Sequence, residues 1–221
     1  MLPVSSAAGQ PTPAVNAFFT STSAVCVTGL VVVDTGTYWS SFGQGVILAL
    51  IQIGGFGFMT SATLLMLAFG RRIGLRERLL IGESMGLSRL GGLLRIVRNM
   101  AFFTLLAEGI GAAIFFTRFS AENPLRLAIW KSAFHSISAF NNAGFDIFGN
   151  FQSLTNYRGD PLVVLTTAAL IFIGGISFMV LSDVFKTRRL TKLSLDTKLV
   201  LVTTVSLLAA GIVVMLSLIH I

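Results

Sequence analysis

Apolar stretches long enough to cross a lipid bilayer are the feature that most constrains this chain. Three of them cover 46–70, 161–181 and 199–219, and a fourth, over 99–117, is interrupted by Glu108. About 20 consecutive apolar residues span the hydrocarbon core of a membrane. Only 11% of the residues are charged, compared with about 25% in a soluble domain. The sequence therefore predicts an all-α membrane protein.

The basic residues are concentrated in two of the loops between these stretches. Seven of the 16 Lys and Arg residues lie within 71–98 and five within 186–198, whereas 1–70 contains none. Because basic loops stay on the cytoplasmic side, we expect 71–98 and 186–198 in the cytoplasm, and 30–42 and 145–160 outside. These loops lack the interleaved aromatic and polar residues of a nucleic-acid surface. The 71–98 loop is expected to form an amphipathic hairpin that docks a partner or rests on anionic lipid.

Two shorter apolar segments, 13–30 and 124–145, lie on the outer side of this topology at both of their ends. Each begins with a polar residue and a proline, Thr12–Pro13 and Asn123–Pro124, as if a capping side chain preceded a proline at the first helical position. A segment that enters and leaves by one face is re-entrant, and its irregular backbone must be buried in protein or line a watery cavity.

An internal repeat links the two re-entrant segments. The residues that recur 115 positions later are Phe19, Ser21, Ser23, Ala24 and Gly29, which match Phe134, Ser136, Ser138, Ala139 and Gly144. The spans that follow match at an offset of 120, with 53–59 corresponding to 173–179. Repeated membrane units are typical of transporters whose sites lie at the repeat interface. We therefore predict repeated membrane–pore–membrane units with re-entrant pore helices.

The loops after the two re-entrant helices are the candidate ion-selectivity filter. A helix C-terminus carries about half a negative charge, and backbone carbonyls beyond it can replace the water shell of a cation. Glycine permits the torsions that such a lining needs. The predicted filter residues are Cys26, Val27, Thr28, Gly29, Asn141, Asn142, Ala143 and Gly144.

Four segments resemble the bacterial TrkH/KtrB potassium-uptake subunits of the Trk/Ktr/HKT superfamily. They are TSAVCVTGLVVVDTGTYW, QIGGFGFMTSATLL, AFHSISAFNNAGFD and IFIGGISFM. The resemblance implies four membrane–pore–membrane repeats around one pore, with filter glycines at Gly29 and Gly144. It further implies that K⁺, and also Na⁺, is carried, with K⁺ held by backbone carbonyls of Val27, Thr28, Gly29, Asn142, Ala143 and Gly144. Serine at the position of Gly29 accompanies Na⁺ preference in the plant members.

The resemblance also predicts partners and a division of the chain. It implies a multi-pass protein of the bacterial plasma membrane, a homodimer when full length, a cytosolic nucleotide-binding regulatory subunit and no tightly bound cofactor. Measured against the family, the chain is expected to be a fragment. Its predicted parts are 1–70 (pore helix, filter loop and second span of repeat 1), 71–98 (cytoplasmic loop), 99–185 (repeat 2), 186–198 (cytoplasmic linker) and 199–221 (first span of repeat 3).

Alternatives from other classes carry less support. An intramembrane enzyme is disfavoured because the sequence has no HExxH motif, no GxS nucleophile paired with a base, and only two histidines. A non-conducting structural or interaction fragment stays open, because two filter loops do not close a four-sided pore.

Several single residues allow two interpretations. Glu108 is either a functional site within a span or a hydrogen-bonded structural carboxyl. Asp34 and Asp146 either concentrate cations at the outer mouth or are solvated loop acids. We expect Cys26 to be a small packed residue, and His135 to lie outside any metal site. The glycines of the 53–59 and 173–179 segments are expected to permit close helix contact rather than ion binding, and the serines of the repeat could serve only to pack helices together.

Overall fold

The computed structural model describes residues 3–57, 60–61, 93–187 and 189–219. Over these ranges every regular element is a helix, and extended pairing is limited to one isolated bridge between Ser6 and Trp39. The fold is thus all-α, as predicted. The chain divides into two compact units, Met1–Gly175 and Ile176–Ile221.

The described residues of the first unit form six α-helices. They are α1 (Ala14–Val25), α2 (Thr35–Tyr38), α3 (Ser41–Phe56), α4 (Leu93–Phe119), α5 (Leu125–Phe140) and α6 (Pro161–Gly175), with short 3₁₀ turns at Pro3–Ser5 and Thr155–Tyr157. The second unit contains α7 (Phe178–Thr187), a 3₁₀ turn at Leu190–Lys192 and α8 (Leu195–Ile219).

Helix α5 takes part in both apolar cores of the first unit. One core joins α1, α3 and α5 and includes Ala24, Ile51 and Phe134. The other joins α4, α5 and α6 and includes Phe115 and Leu170. Since lipid tails are as apolar as these side chains, close van der Waals packing rather than escape from water holds such helices together in a membrane.

Two helices, α4 and α8, are long and apolar enough to cross a membrane, and α6 with α7 makes a third if the pair is counted as one interrupted span. The stretches 99–117 and 199–219 therefore form helices of spanning length, as predicted. Helix α4 already includes Leu93, so 93–98, the last part of the predicted cytoplasmic loop, is continuous with this helix. The amphipathic hairpin predicted for the rest of that loop lies outside the described residues.

The other two predicted spans contain breaks in the helix that the sequence did not indicate. In 46–70, helix α3 ends at Phe56, and Gly57 follows with a φ of 76°. In 161–181, helix α6 ends at Gly175 and α7 begins at Phe178. Mean hydropathy counts apolar side chains and does not detect a break in the backbone, so it gave no sign of either break.

The prolines at the start of the two re-entrant segments also differ from the prediction. Helices α1 and α5 begin one residue later than expected, because Pro13 and Pro124 have the extended ψ angles of 138° and 147° and occupy the N-cap position. The expected side-chain caps do not form. Thr12 Oγ1 has no hydrogen-bond partner among the described residues, and Asn123 Nδ2 donates to the carbonyl of Phe119, 3.0 Å away.

Candidate functional site

The loops that follow α1 and α5 have the same backbone conformation. Val27 and Asn142 have φ angles of 55° and 57°, and the glycines two residues later, Gly29 and Gly144, have φ angles of 74° and 73°. Equivalent backbone hydrogen bonds accompany them: the Thr28 N–H donates to the carbonyl of residue 23 over 3.0 Å, and the equivalent bond from residue 143 to residue 138 measures 2.8 Å. Each helix therefore ends in a Schellman motif, and the two motifs lie 115 residues apart.

A buried serine near the end of each helix forms a hydrogen bond to the loop that follows that helix. Ser23 Oγ donates to the carbonyl of Leu30 over 2.7 Å, and Ser138 Oγ donates to the carbonyl of Phe145 over 2.6 Å. Both serines are at most 5% exposed. The hydroxyl thus bridges the loop just after its glycine, so packing is not the whole role of these two serines.

The two predicted filter glycines face each other. A β-carbon added to Gly29 would lie 3.2 Å from the Cα atom of Gly144 and 2.6 Å from the carbonyl oxygen of Ala143. A β-carbon added to Gly144 would lie 3.5 Å from the Cα atom of Gly29. The loops therefore approach each other backbone to backbone, and a side chain at Gly29 would occupy the space of the second loop.

The backbone carbonyls predicted to bind the ion accept no hydrogen bonds within the described part of the chain. Within the described residues, no hydrogen bond ends on the carbonyl oxygens of Val27, Thr28, Gly29, Asn142, Ala143 or Gly144. Most buried carbonyls in proteins are paired, and an unpaired one at membrane depth must meet water or a ligand. Six unpaired carbonyls on two facing loops can therefore accept a cation or water.

Glycines of α3 and α6 lie against the ends of the re-entrant helices. A β-carbon on Gly54 would collide with the carbonyl oxygen of Val25, and one on Gly174 would collide with that of Phe140. These are equivalent positions in the two repeats, so the prediction of close helix contact is confirmed for them. Gly57 differs, because nothing lies within 4 Å of an added β-carbon there.

The first residue of each loop is where the repeats diverge. Cys26 is a free and exposed thiol, so the expectation that it is packed was wrong. Asn141 lies at the equivalent position, and its Nδ2 donates to Glu108 Oε1 over 3.0 Å and to Gln52 Oε1 over 3.3 Å. Glu108 is 4% exposed. The carboxyl in the second repeat's leading helix is therefore hydrogen-bonded and faces other helices, which is one of the two interpretations left open by the sequence.

The outer loops hold the two acids that were considered as cation attractors. Asp34 is buried and accepts hydrogen bonds from the N–H groups of Thr37 (2.7 Å) and Phe151 (2.6 Å). Burial acts to raise the pKa of Asp34, but these hydrogen bonds outweigh it and keep the pKa below its ordinary value. For Asp146, burial raises the pKa above its ordinary value. Asp34 is thus a tether between loops 117 residues apart, and the solvated-acid interpretation is wrong for it.

His135 packs edge-on against aromatic rings behind the second loop. Its ring centroid lies 4.1 Å from that of Phe148 and 5.9 Å from that of Phe119. Neither ring nitrogen has a hydrogen-bond partner within the described residues. The residue lines a cavity of about 240 Å³ together with Asn142 and Gly144.

Two features of the site were missed from the sequence. The serine hydroxyls were not assigned to the loop carbonyls, although the recurrence of Ser23 and Ser138 at one offset could have indicated it. Gln52 was not singled out, although it is an uncharged polar residue inside an apolar stretch. A polar side chain in an apolar stretch needs a hydrogen-bond partner. For Gln52 that partner is Asn141 of α5.

Comparison with known proteins identifies the family. The family of TrkH cation transport proteins matches residues 2–221. The chain is 45% identical over 207 residues to the Ktr system potassium uptake protein B of Bacillus subtilis, covering 94% of this chain and 46% of that protein. It is 41% identical over 214 residues to the protein of the same name from Vibrio alginolyticus, covering 96% of this chain and 46% of that protein.

A third relative has a different name. The chain is 35% identical over 215 residues to the potassium/sodium uptake protein NtpJ of Enterococcus hirae, covering 97% of this chain and 47% of that protein. The chain thus spans about half the length of the relatives it matches. Its apolar helices and the match over residues 2–221 lead to one conclusion: the chain is a membrane protein and belongs to the family of TrkH cation transport proteins.

Proposed function

We propose that this chain forms part of the ion pathway of a Trk/Ktr-type potassium-uptake subunit, with the loops after α1 and α5 as two segments of its selectivity filter. The observation that carries the proposal is the pair of facing loops with matching left-handed torsions and six carbonyl oxygens that accept no hydrogen bond from the described residues. The names of the relatives in Bacillus subtilis and Vibrio alginolyticus support K⁺ as the transported ion.

The physical basis is the replacement of the water shell of K⁺. The proposed ligands are the backbone carbonyls of Val27, Thr28, Gly29, Asn142, Ala143 and Gly144. Helices α1 and α5 end at these loops, so their C-terminal partial negative charges lie near the ion. Carbonyl rings of this kind bind K⁺ in channels. The side chain of Thr28 is engaged elsewhere, because its Oγ1 lies 2.8 Å from Ser23 Oγ, which leaves the backbone carbonyls for the ion.

Na⁺ is the second ion that we propose. The relative in Enterococcus hirae is named as a potassium/sodium uptake protein, and the carbonyl ligands suit either cation. The proposal includes a multi-pass protein in the bacterial plasma membrane, a homodimer and a cytosolic nucleotide-binding regulatory subunit. Cysteines introduced singly at Arg78 and Asn150 of the full-length protein, with the exposed Cys26 replaced by serine, should label from opposite sides of the membrane; labelling from one side contradicts the topology.

The decisive experiment is ion flux through the purified full-length protein in lipid vesicles. We expect uptake of the K⁺ tracer ⁸⁶Rb⁺ above that of empty vesicles, with stronger competition from external K⁺ than from Li⁺. The double variant Gly29→Ala/Gly144→Ala serves as the control for leak through damaged vesicles, because it alters the proposed filter alone. Tracer uptake equal to that of empty vesicles would contradict transport and favour the non-conducting alternative.

A further inference from the structure

The side-chain amide of Asn141 forms hydrogen bonds to three helices at the start of the second loop. Its Nδ2 atom donates to Ile137 in its own helix (2.9 Å), to Glu108 in α4 (3.0 Å) and to Gln52 in α3 (3.3 Å). Asn141 is the C-cap residue of α5, so it is the last residue before the chain turns into the loop. Whatever fixes its side chain therefore fixes the start of that loop.

Among the described residues, Glu108 has no ion pair that competes with its hydrogen bond to Asn141. It is 4% exposed, and both ion pairs among the described residues involve Arg118 and not Glu108. The helix that carries Glu108 is also tied to α5 one turn away, because Ser136 Oγ donates to the carbonyl of Glu108 over 2.6 Å. A carboxyl in a span without a basic partner needs hydrogen-bond donors, and Asn141 supplies one.

Within the described residues, no equivalent bond holds the first loop. The residue equivalent to Asn141 is Cys26, which is exposed and makes no side-chain hydrogen bond with any described residue. Space for the bond at the second loop comes from Gly55, where an added β-carbon would collide with Asn141 Oδ1.

We propose that Glu108 is a positioning residue for ion selectivity, which holds the second filter loop in register through its hydrogen bond to Asn141. This inference rests on the proposed function. The bond acts on the part of the loop that faces the first repeat, because the carbonyl oxygen of Ala143, two residues beyond Asn141, would lie 2.6 Å from a β-carbon added at Gly29. A rotated Asn141 would shift that carbonyl, and carbonyl placement is what discriminates K⁺ from Na⁺.

The test compares four variants of the full-length protein by the ratio of ⁸⁶Rb⁺ to ²²Na⁺ uptake. Glu108→Leu removes the acceptor and should lower the ratio about tenfold, which corresponds to about 1.4 kcal/mol. Glu108→Gln keeps an acceptor oxygen and should stay within about twofold of the unmodified protein. Asn141→Asp places two carboxyls together and should lower the ratio as Glu108→Leu does.

The fourth variant reverses the bond. In Glu108→Gln/Asn141→Asp the new glutamine amide donates to the new carboxylate, so the ratio should return to within about threefold of the unmodified protein. Gln52 can join, because its Nε2 has no partner within the described residues and a flipped amide would donate to the carboxylate. Glu122→Gln, which changes an outer-loop carboxyl bonded to Tyr157 (2.8 Å), is the matched control and should leave the ratio unchanged.

The outcomes distinguish a failure of the proposed function from a failure of the role proposed for Glu108. An unmodified protein that takes up no ⁸⁶Rb⁺ refutes the proposed function itself, whereas normal uptake with an unchanged ratio in Glu108→Leu refutes only the role of Glu108. A ratio in Glu108→Gln as low as in Glu108→Leu assigns the effect to charge and overturns the positioning role. Should Glu108→Leu fail to fold, the comparison of Asn141→Asp with the double variant decides, and a double variant no better than Asn141→Asp overturns the proposal.

Discussion

Replacing Gly29 by alanine is the sharpest test of the geometry between the two loops. The change adds one β-carbon to a residue with a φ of 74°, at 2.6 Å from the carbonyl oxygen of Ala143 and 3.2 Å from the Cα atom of Gly144. Both are backbone atoms, so no side-chain rotation relieves the contact. The second loop must move away or Gly29 must change its torsions.

The size of the effect follows from that distance. Ordinary contact begins at 3.4 Å, so the loops must separate by about 0.8 Å. A functional site must be held within about 0.5 Å of its working geometry. Overpacking of this kind costs about 2 kcal/mol of folding stability, and a loss of the same size in ion binding would lower the affinity roughly thirtyfold. We expect ⁸⁶Rb⁺ uptake to fall by about that factor while Na⁺ uptake persists.

The assay is K⁺-dependent growth and ⁸⁶Rb⁺ uptake in cells that lack their own K⁺ uptake, with the full-length protein at matched membrane amounts. Gly9→Ala is the torsional control, because Gly9 has a φ of 67° and nothing lies within 4 Å of its added β-carbon. Gly144→Ala meets only Gly29 at 3.5 Å, so its effect should be intermediate. Gly29→Ser adds a hydroxyl to the same β-carbon and should lower ⁸⁶Rb⁺ uptake at least as much as Gly29→Ala. Equal uptake in Gly29→Ala and Gly9→Ala would refute the contact argument and the assignment of Gly29 to the filter.

Three further predictions concern stability, measured as the thermal midpoint of the full-length protein in detergent. Val27→Asn should raise stability by about 1 kcal/mol, because a β-branched residue is strained at a φ of 55° where asparagine is tolerated; no gain would mean that Val27 is unstrained. Gly174→Ala should destabilise by about 2 kcal/mol through collision with the carbonyl of Phe140, whereas Gly109→Ala, with nothing within 4 Å, should not; equal midpoints contradict the close approach. Asp34→Asn should destabilise by about 1–3 kcal/mol, because its amide nitrogen would face the N–H of Phe151 with no acceptor; an unchanged midpoint contradicts the tether.

The sequence predicted the paired loops because their chemistry is local. The recurrence of a helix end followed by a glycine at one offset indicated two matching loops, although the left-handed residue of each Schellman motif is Val27 or Asn142 and not the glycine. Val27 shows how strongly these neighbours act, since valine disfavours the left-handed region and yet has the same φ as Asn142 to within 2°. The backbone of the loop is thus set by the residues around Val27 and not by Val27 itself.

The sequence did not predict what depends on distant contacts. The bond between Glu108 and Asn141 joins residues 33 positions apart, and it forms because Gly55 leaves room for the amide. The ends of α3 and α6 were missed for a related reason. The glycines there were predicted to permit close helix contact. Such a prediction does not indicate whether the helix continues beyond the contact.

The two loops have the same backbone conformation, but different contacts restrain them. This difference predicts which residues can alter selectivity. The first loop is limited by space, because Gly29 lies against the carbonyl of Ala143. The second loop is limited by polar contacts, because Asn141 is held by Glu108. Since the Ala143 carbonyl lies in the second loop and faces the first, both restraints act on the same oxygen atom. A change at Gly29 and a change at Glu108 should therefore be non-additive in the ⁸⁶Rb⁺ to ²²Na⁺ ratio.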